Sequence, residues 1–243
     1  MIILAVGMPR AGSGWHYNLT KALMATAGAV DAHDIRQRFR LQSILTEVNC
    51  NIGVLSPRRL AMVMVPSLLG NTFAIKAHSR PTATARQLIQ LGQLKVTYVY
   101  RDPRDALLSA YEYGRRAVEK GRPNAFSHLD SIEKAIEFMQ EYVADWSDWT
   151  SCERCHHVRY EDLKTNYLAE ATRLAKFLGL EFSAPDVAQA ILQFQPEKAQ
   201  TEQQGVHFFK GVSGRFRKGL TPAQQEMCWE SYGPTLIKMG YSK

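Results

Sequence analysis

The chain has 243 residues, of which 45% are hydrophobic and 22% are charged. That balance excludes a disordered, collagen-like or coiled-coil chain, and the length favours one domain, residues 1–243, over two of typical size. Lys and Arg (30) outnumber Asp and Glu (23), and the net charge of +7 favours an anionic partner.

The lack of a recognisable signal peptide and the low number of cysteines predict a cytoplasmic protein without a stable membrane span. The N-terminal apolar segment has no basic residues before it and ends at Gly7, which is unlike a signal peptide. Four cysteines are too few for a disulfide framework in a chain of this length. The pattern Cys152-Glu-Arg-Cys155-His156 lacks a second pair of ligands, so we expect no metal.

Short apolar segments alternate with longer amphipathic ones along the chain. This pattern predicts an α/β fold in which helices flank a central parallel sheet. Strands are predicted over residues 2–6, 72–76, 95–100 and 157–160.

Apolar residues spaced by three and four predict the helices. Asp130 and Glu133 predict a capping box at the start of one helix. A second pattern predicts a single helix from Leu163 to Leu178, ended by Gly179. Further helices are predicted over 31–46, over 56–69, and after Ser183 and Thr221.

A glycine-rich loop follows the first predicted strand. From Gly7 to Trp15 it reads Gly-Met-Pro-Arg-Ala-Gly-Ser-Gly-Trp, and a helix follows. Such a loop exposes backbone N–H groups at a helix N-terminus, which suits phosphate oxygens. The alternative is a tight turn that needs glycine only for its positive φ. Ser13 stands where a P-loop has Lys, which disfavours nucleoside triphosphate hydrolysis.

The third predicted strand ends in a cationic segment, Arg101-Asp-Pro-Arg104-Asp105, that begins a helix. Ligands bind at the carboxyl ends of parallel strands, so we expect both guanidinium groups at that edge of the sheet. Ser109 lies early on the same helix, where its hydroxyl can share an anion with Arg101. The alternative is that these arginines pair with Asp102 and Asp105 on the surface.

The second predicted strand ends in Lys76-Ala77-His78. Residues two apart on an extended chain point the same way, so Lys76 and His78 can face one pocket. An imidazole there can take a proton from a hydroxyl nucleophile, and an ammonium group can stabilise negative charge. The alternative is a capped histidine at the surface end of a strand.

These segments, in this order, resemble the sulfotransferases that use 3′-phosphoadenosine 5′-phosphosulfate (PAPS). The loop from Gly7 to Trp15 resembles the family's 5′-phosphosulfate loop, and the segment from Tyr98 to Ser109 resembles its 3′-phosphate motif. Lys76-Ala77-His78 resembles the K-T-H segment of the cytosolic branch. Two later segments also resemble the family, namely Arg159-Tyr160-Glu161-Asp162-Leu163 and Phe209-Lys210-Gly211-Val212-Ser213-Gly214.

The resemblance implies a P-loop-like sulfotransferase fold and in-line transfer of a sulfuryl group to an acceptor hydroxyl or amine, without a required metal. PAPS would be the donor and adenosine 3′,5′-bisphosphate (PAP) the product. Arg10 and Lys76 would offset negative charge, and His78 would be the general base. The donor-binding residues would be Arg10, Ala11, Gly12, Ser13, Gly14, Trp15, Arg101, Ser109, Tyr160, Phe209, Lys210 and Gly211.

Two residues depart from the family pattern. Arg10 stands where the cytosolic branch usually has Lys, and Phe209 replaces an Arg of the late loop. Arginine does not readily donate a proton, so Arg10 is assigned an electrostatic role. Several branches use Glu as the base in place of a histidine. A P-loop-type small-molecule or nucleoside kinase and a catalytically inactive nucleotide-binding protein are the alternative functions.

Variable segments form the acceptor pockets of this fold, and here they are residues 29–70 and 112–130. We expect a small-molecule acceptor, with a glycan or lipid-linked acceptor as the alternative. Aromatic residues suitable for base stacking are not interleaved with the arginines from Arg36 to Arg40, so no nucleic-acid partner is expected. The segment from Arg217 to Glu226 matches a family dimerisation segment only in part, which leaves a monomer or a homodimer.

Overall fold

The centre of the fold is a parallel sheet, seen in a computed structural model that describes residues 1–196 and 211–243. Its strands are β1 Ile2–Gly7, β2 Phe73–Ala77, β3 Leu94–Tyr100 and β4 His156–Arg159. They lie in the order β2-β1-β3-β4. All four predicted strands are confirmed to within one residue at each end.

Helices cover both faces of this sheet. In the described residues they are α1 Ser13–Thr26, α2 Ala32–Arg38, α3 Pro57–Leu68, α4 Ala83–Gln90, α5 Pro103–Glu119, α6 Ile132–Thr150, α7 Tyr160–Thr165, α8 Tyr167–Leu178, α9 Pro185–Gln193, α10 Phe216–Gly219 and α11 Pro222–Lys238. None of them is long and apolar enough to cross a membrane.

Strand β1 lies between two hydrophobic cores, and all of its residues are buried. Leu4 and Val6 face one core, which includes apolar residues of α5, α6 and α11. Ile3 and Ala5 face the other, with residues of α1, α8 and α9. A strand covered on both faces is apolar throughout because each side chain enters a core, and burial of one Leu or Ile contributes about 1.5–3 kcal/mol.

The strand order reverses beside β1, since the chain passes from β1 to β2 on one side and then to β3 on the other. In open parallel sheets such a reversal leaves a crevice at the carboxyl ends of the strands. The Met8 N–H donates to the carbonyl oxygen of Val99 at 3.0 Å, which ties the glycine-rich loop to β3 there. The glycine-rich loop, the segment Lys76-Ala77-His78 and the segment that begins at Arg101 lie at the carboxyl ends of β1, β2 and β3. All three therefore meet at this edge.

The start of α6 differs from the prediction by one residue. Ser131, rather than Asp130, is the N-cap, and its side chain accepts from the Lys134 N–H. Asp130 instead accepts from the Lys134 ammonium at 2.6 Å. By contrast, the capping box of α11, formed by Thr221 and Gln224, is present in full.

Two predicted helices are shorter than expected. The helix predicted from Leu163 to Leu178 is broken at Asn166, whose backbone (φ −121°, ψ 41°) separates α7 from α8. Gly179 does end α8, with a left-handed φ of 87°. The helix predicted over 31–46 ends at Arg38, and Arg40 adopts a φ of 54°, which is incompatible with a continuing helix.

Candidate active site

A cavity of about 520 Å³ lies at this edge of the sheet. The predicted site residues that line it are Arg10, Gly12, Ser13, Gly14, Trp15, Lys76, His78, Arg101, Ser109, Tyr160 and Gly211. Phe209 and Lys210 lie outside the described residues. Residues from five separate segments of the sequence therefore meet at a single cavity.

The glycines of the loop allow close approaches that a side chain would prevent. A Cβ on Gly7 would lie 2.5 Å from Cβ of Ser13, and one on Gly12 would lie 2.6 Å from the Tyr160 ring. Gly12 also has a left-handed φ of 76°. Ala11 does not line the cavity, and its side chain is buried in the core while its N–H donates to the Met8 carbonyl.

Arg10 connects the glycine-rich loop to α5. Its Nε donates to the Ser109 Oγ at 3.2 Å, and its guanidinium lies 4.5 Å from the centre of the Tyr113 ring. Burial lowers the pKa of Arg10 to about 10, so the side chain is still a cation at neutral pH. The loop and the start of α5 thus present one positive charge jointly to the cavity.

Arg101 is buried and held by several groups at once. Its Nη2 donates to the Val212 carbonyl at 2.7 Å and to Asp105 at 3.3 Å, and its guanidinium lies 4.7 Å from the centre of the Tyr160 ring. Its Nε is buried and has no hydrogen-bond partner in the described part of the chain. The alternative is right about the pairing, since Arg101 contacts Asp105 and Arg104 contacts Asp102, but wrong about the surface, since only 6% of Arg101 is exposed.

Asp105 has a larger role than the sequence indicated. The sequence offered it only as a surface partner of the arginines, yet it is 1% exposed. Its two oxygens accept from the backbone N–H groups of Gly214 and Phe216, at 2.6 and 2.9 Å. Asp105 thereby fastens the segment after Gly211 to the helix that carries Arg101 and Ser109.

Arg104 was expected beside Arg101 at the ligand edge, but it has a structural role. Its side chain donates to both oxygens of Asp102, at 3.0 and 2.8 Å. Its guanidinium also lies 3.9 Å from the centre of the Phe216 ring. Arg104 is buried and does not line the cavity, so of the two arginines only Arg101 is available to a ligand.

Lys76 is an isolated cation in the cavity wall. It is 4% exposed and forms no salt bridge with any residue in the described ranges. Burial, and next the nearby charge of Arg10, lower the pKa of its ammonium to about 8. A buried ammonium without a carboxylate beside it is stabilised by an anionic ligand.

His78 presents an unprotonated nitrogen to the cavity. Its Nδ1 lies 2.5 Å from the Gly7 carbonyl oxygen, which can only accept, so Nδ1 carries the proton and Nε2 has a free lone pair. Burial, and next the charge of Lys76, lower the pKa of His78 to about 3 in spite of the bond to Gly7. The imidazole is therefore neutral throughout the physiological range.

Trp15 forms the wall beside the loop. Its Nε1 donates to the Phe194 carbonyl at 2.8 Å, and its ring stacks on Tyr167 with centroids 5.7 Å apart. Its edge contacts Tyr160, whose ring lies 6.3 Å away. Tyr160 thus contacts Trp15, Arg101 and Gly12, and it joins the two anion-binding segments.

The half of the cavity that lies away from the glycine-rich loop was only partly predicted from the sequence. Asn49 and Tyr113 lie within the expected acceptor segments, 29–70 and 112–130. Phe138 and Tyr142 come from α6, which the sequence assigned to the core alone. Phe138 and Tyr142 are four residues apart and form a second apolar stripe on α6, beside the core-facing stripe of Ile136, Met139 and Val143. This second stripe was the sequence signal that could have identified them as cavity residues.

No group of three or more potential ligands for a metal ion occurs among the described residues. Cys152 and Cys155 are free thiols in the turn before β4.

Comparison with known proteins identifies the family. A family model for the sulfotransferase domain matches residues 2–240. The chain belongs to the sulfotransferase family.

Related sulfotransferases in animals are distant in sequence. Sulfotransferase 2B1 of Mus musculus is 26% identical over 155 residues, which cover 56% of this chain and 46% of the mouse protein. Sulfotransferase 1A1 of Canis lupus familiaris is 24% identical over 188 residues, which cover 69% of this chain and 63% of the dog protein. This sulfotransferase-family chain thus spans about half the length of the curated relatives it matches.

Solved structures agree on the fold. A retinol dehydratase in complex with androsterone and the inactive cofactor PAP superposes with a TM-score of 0.63 and 16% identity, covering 97% of this chain and 80% of that one. The mouse sulfotransferase SULT7A1 complexed with PAP gives 0.60 and 15%, covering 97% and 84%. The α/β fold with a central parallel sheet, predicted from the sequence, is confirmed.

Proposed function

We propose that this chain transfers a sulfuryl group from PAPS to a hydroxyl group of a small-molecule acceptor. The observation that carries the proposal is the meeting of three parts at one cavity: the glycine-rich loop, the Arg101 segment, and the open Nε2 of His78. Anion-binding groups alone would suit many nucleotides. A neutral base beside them is what sulfuryl transfer to a hydroxyl requires in addition.

The residues of the site fit PAPS. Arg101 has a buried Nε without a hydrogen-bond partner in the described residues, and Gly12 leaves no room for a side chain under Tyr160. Ser109 accepts from Arg10, and its own proton is left to donate. We assign the 5′ group to the loop from Arg10 to Gly14, and the 3′-phosphate to Arg101, Ser109, Gly211 and, outside the described residues, Phe209 and Lys210. PAPS, when bound, supplies the sulfuryl group and leaves as PAP.

The chain's own residues would act on the acceptor and on the developing charge. His78 would take the hydroxyl proton at Nε2 as the oxygen forms its bond to sulfur. Lys76 and Arg10 would stabilise the negative charge that builds up on the leaving phosphate oxygen. The bond from Nδ1 of His78 to Gly7 would hold the imidazole in the tautomer that accepts this proton.

The size of the cavity favours a compact acceptor. Its volume of about 520 Å³ lies within the range of roughly 300–1,000 Å³ that is typical of small-molecule sites. Two structural neighbours were solved with compact ligands, one with androsterone and one with retinol. A small alcohol or phenol is therefore preferred to a glycan.

A thermal-shift comparison tests the donor. We expect PAP at 100 times its Kd to stabilise the protein by about 2.7 kcal/mol and to raise its melting temperature by roughly 5–10 °C. ADP, which lacks the 3′-phosphate, should raise it far less. A shift with Mg²⁺-ATP alone would indicate a kinase instead, and PAP binding without sulfation of any acceptor would indicate an inactive nucleotide-binding protein.

A further inference from the structure

The half of the cavity away from the glycine-rich loop has an aromatic wall, formed by Tyr113, Phe126, Phe138 and Tyr142. The ring centroids of Tyr113 and Phe126 lie 5.9 Å apart. Those of Phe126 and Phe138 lie 5.9 Å apart, and those of Phe138 and Tyr142 5.1 Å apart. A continuous row of rings gives an apolar surface that suits an acceptor with rings of its own.

This aromatic wall is fixed by the backbone that carries it. A Cβ on Gly114 would lie 2.1 Å from the Phe126 carbonyl oxygen, so the loop before α6 packs directly on α5. The Asn124 side chain spans this contact, because Nδ2 donates to the Tyr113 carbonyl at 3.4 Å and Oδ1 accepts from the Phe126 N–H at 2.8 Å. Both ends of the Asn124 amide are therefore engaged within the wall.

Asn49 lines the same cavity from another loop. Its Oδ1 accepts from the Thr46 hydroxyl at 3.1 Å, and the Thr46 oxygen in turn accepts from the Asn51 N–H at 2.9 Å. This chain of bonds fixes the orientation of the Asn49 amide. Within residues 1–196 and 211–243 its Nδ2 has no hydrogen-bond partner, so two N–H donors are left for a ligand.

The position of Asn49 is set by β2. The carbonyl of the next residue, Cys50, accepts from the Lys76 N–H at 3.2 Å, and Ile52 donates to the Lys76 carbonyl at 2.9 Å. The loop that carries Asn49 therefore pairs directly with the residue two positions before His78. An acceptor whose hydroxyl lies at His78 has this loop beside it.

The charges of the cavity are all of one sign. Its described lining includes four cations, Arg10, Lys76, Arg101 and Arg215, and no carboxylate. Arg101 pairs with Asp105 and Arg215 with Glu112, and the proposed anionic donor would neutralise much of the remaining positive charge. At Asn49 an acceptor meets two N–H donors, which attract an oxygen and not an ammonium group.

We infer that Asn49 determines acceptor specificity by donating a hydrogen bond to a second oxygen of the acceptor, away from the hydroxyl that is sulfated. The acceptor class is a ring compound with such an oxygen, and an ammonium group at that position is disfavoured because it meets the amide donors of Asn49. The inference rests on the proposed function and deepens it. An acceptor without the second oxygen leaves the amide donors unpaired, which costs about tenfold in kcat/KM.

Three acceptors of matched shape test this inference. They are 6-acetyl-2-naphthol, which has the second oxygen, 6-isopropyl-2-naphthol, which lacks it, and 6-aminomethyl-2-naphthol, which carries an ammonium group. Sulfation is followed with radiolabelled PAPS, and kcat/KM is measured for each compound. The acetyl group also acidifies the phenol, so the decisive quantity is how the acetyl-to-isopropyl ratio differs between the native protein and its variants.

Two variants of Asn49 and one control separate the effects. Asn49→Leu removes the donors, and we expect the acetyl-to-isopropyl ratio to fall about tenfold with the isopropyl compound unaffected. Asn49→Asp keeps the oxygen that Thr46 contacts, and it should lower the ratio as well while increasing the rate with the ammonium compound. Asn51→Asp makes the same change of charge two residues away, where the side chain does not line the cavity. It should change neither the acetyl-to-isopropyl ratio nor the rate with the ammonium compound.

The outcomes distinguish this inference from the proposed function. An unchanged ratio in both Asn49 variants, or efficient sulfation of the ammonium compound by the native protein, overturns the inference and leaves sulfuryl transfer intact. PAP binding without sulfation of any naphthol overturns it as well. Without any PAP binding, the proposed function and the inference both fail.

Discussion

The Nδ1 atom of His78 lies 2.5 Å from the carbonyl oxygen of Gly7, so the ends of β2 and β1 are joined at the cavity. Gly7 begins the glycine-rich loop, and its carbonyl fixes the tautomer of His78. The backbone of the anion-binding loop and the proposed base are thus parts of one hydrogen-bonded unit. A shift in the loop would therefore also move the base.

His78→Ala should abolish most of the turnover and leave the donor site intact. We expect kcat to fall by about 10²–10⁴-fold, the usual contribution of a general base. The Kd for PAP, measured by calorimetry, should change by less than about threefold, since no anion contact is assigned to the imidazole. His33→Ala, at an exposed histidine on α2, is the matched control and should retain native turnover. Native turnover in the His78→Ala variant would mean that the base lies elsewhere.

Lys76 should limit activity at alkaline pH. Its pKa is lowered to about 8 by burial, so the ammonium is charged below pH 8 and neutral above it. The charged form attracts the anionic donor, and kcat/KM should therefore fall as the pH rises through about 8. Because the pKa of His78 is lowered to about 3, no loss from that group is expected between pH 8 and pH 5.

Lys76→Arg provides the check, because a guanidinium stays charged over this range. The fall in kcat/KM near pH 8 should shift to higher pH or disappear in this variant, whatever its absolute rate. If the pH profile of the variant has the same alkaline limb as the native protein, another group is responsible for it. Lys95→Arg is the control, because Lys95 is a half-exposed residue of β3 that does not line the cavity.

Gly12→Ala should eliminate donor binding through a steric clash. The added methyl group would lie 2.6 Å from the Tyr160 ring, in a backbone with φ of 76°. Gly28→Ala is a closely matched control, because Gly28 has φ of 73° and nothing within 4 Å of its Cβ position. Both variants should lose about 1 kcal/mol of stability to backbone strain. Only Gly12→Ala should lose the melting-temperature shift with PAP, and equal shifts in both variants would contradict this account.

Arg101→Gln should discriminate between nucleotides. Loss of a charge-assisted contact costs about 1.5–3 kcal/mol, so the Kd for PAP should rise by roughly 10–100-fold while that for ADP changes little.

Tyr241→Phe tests how Arg101 is supported by residues that do not touch the ligand. The Tyr241 hydroxyl donates to Glu161 at 2.8 Å, and Glu161 lies 4.0 Å from Arg101. Removal of the Tyr241 hydroxyl should raise the Kd for PAP several-fold and leave the Kd for ADP unchanged. Equal losses of affinity for the two nucleotides would contradict the assignment of the 3′-phosphate to Arg101.

The sequence predicted the strands and the residues that follow them because both depend on short-range patterns. An apolar segment such as 95–100 is a buried strand in almost any α/β context, and Arg101 must then lie at its carboxyl end. The same logic placed Lys76 and His78 together. Arg104 could not be distinguished from Arg101 in this way, since its burial depends partly on packing against Phe216, which is remote in the sequence.

Asn49 lies in a segment expected at the acceptor pocket, but the sequence could not single it out as the residue that lines the cavity. Leu41, Ile44, Leu45 and Val48 have helical spacing, which predicts a helix up to residue 46. The loop instead owes its position to the pairing of Cys50 and Ile52 with Lys76, which lies about 25 residues further along the chain. Contacts of this range depend on how the loop crosses the end of the sheet, which no local pattern records. Phe138 and Tyr142 were missed for a different reason, because the stronger stripe on α6 belongs to the core.

The fold should lose stability in mild acid because of three histidines whose pKa values are lowered by burial, namely His16, His78 and His156. His16 is fully buried and its Nε2 lies 2.9 Å from the Thr97 hydroxyl, and His156 is 8% exposed. Burial lowers the pKa of His16 to about 3 and that of His156 to about 4.

Since these pKa values are below that of an unfolded histidine, only the unfolded chain gains protons as the pH falls from about 6.5 toward 4. Each histidine should therefore cost about 2 kcal/mol of unfolding free energy between pH 7 and pH 5. Urea unfolding at both values measures the loss. His16→Gln should reduce this loss by roughly a third even if it lowers stability at pH 7, whereas His33→Ala should not change it. The same acid sensitivity in His16→Gln as in the native protein would show that other groups cause it.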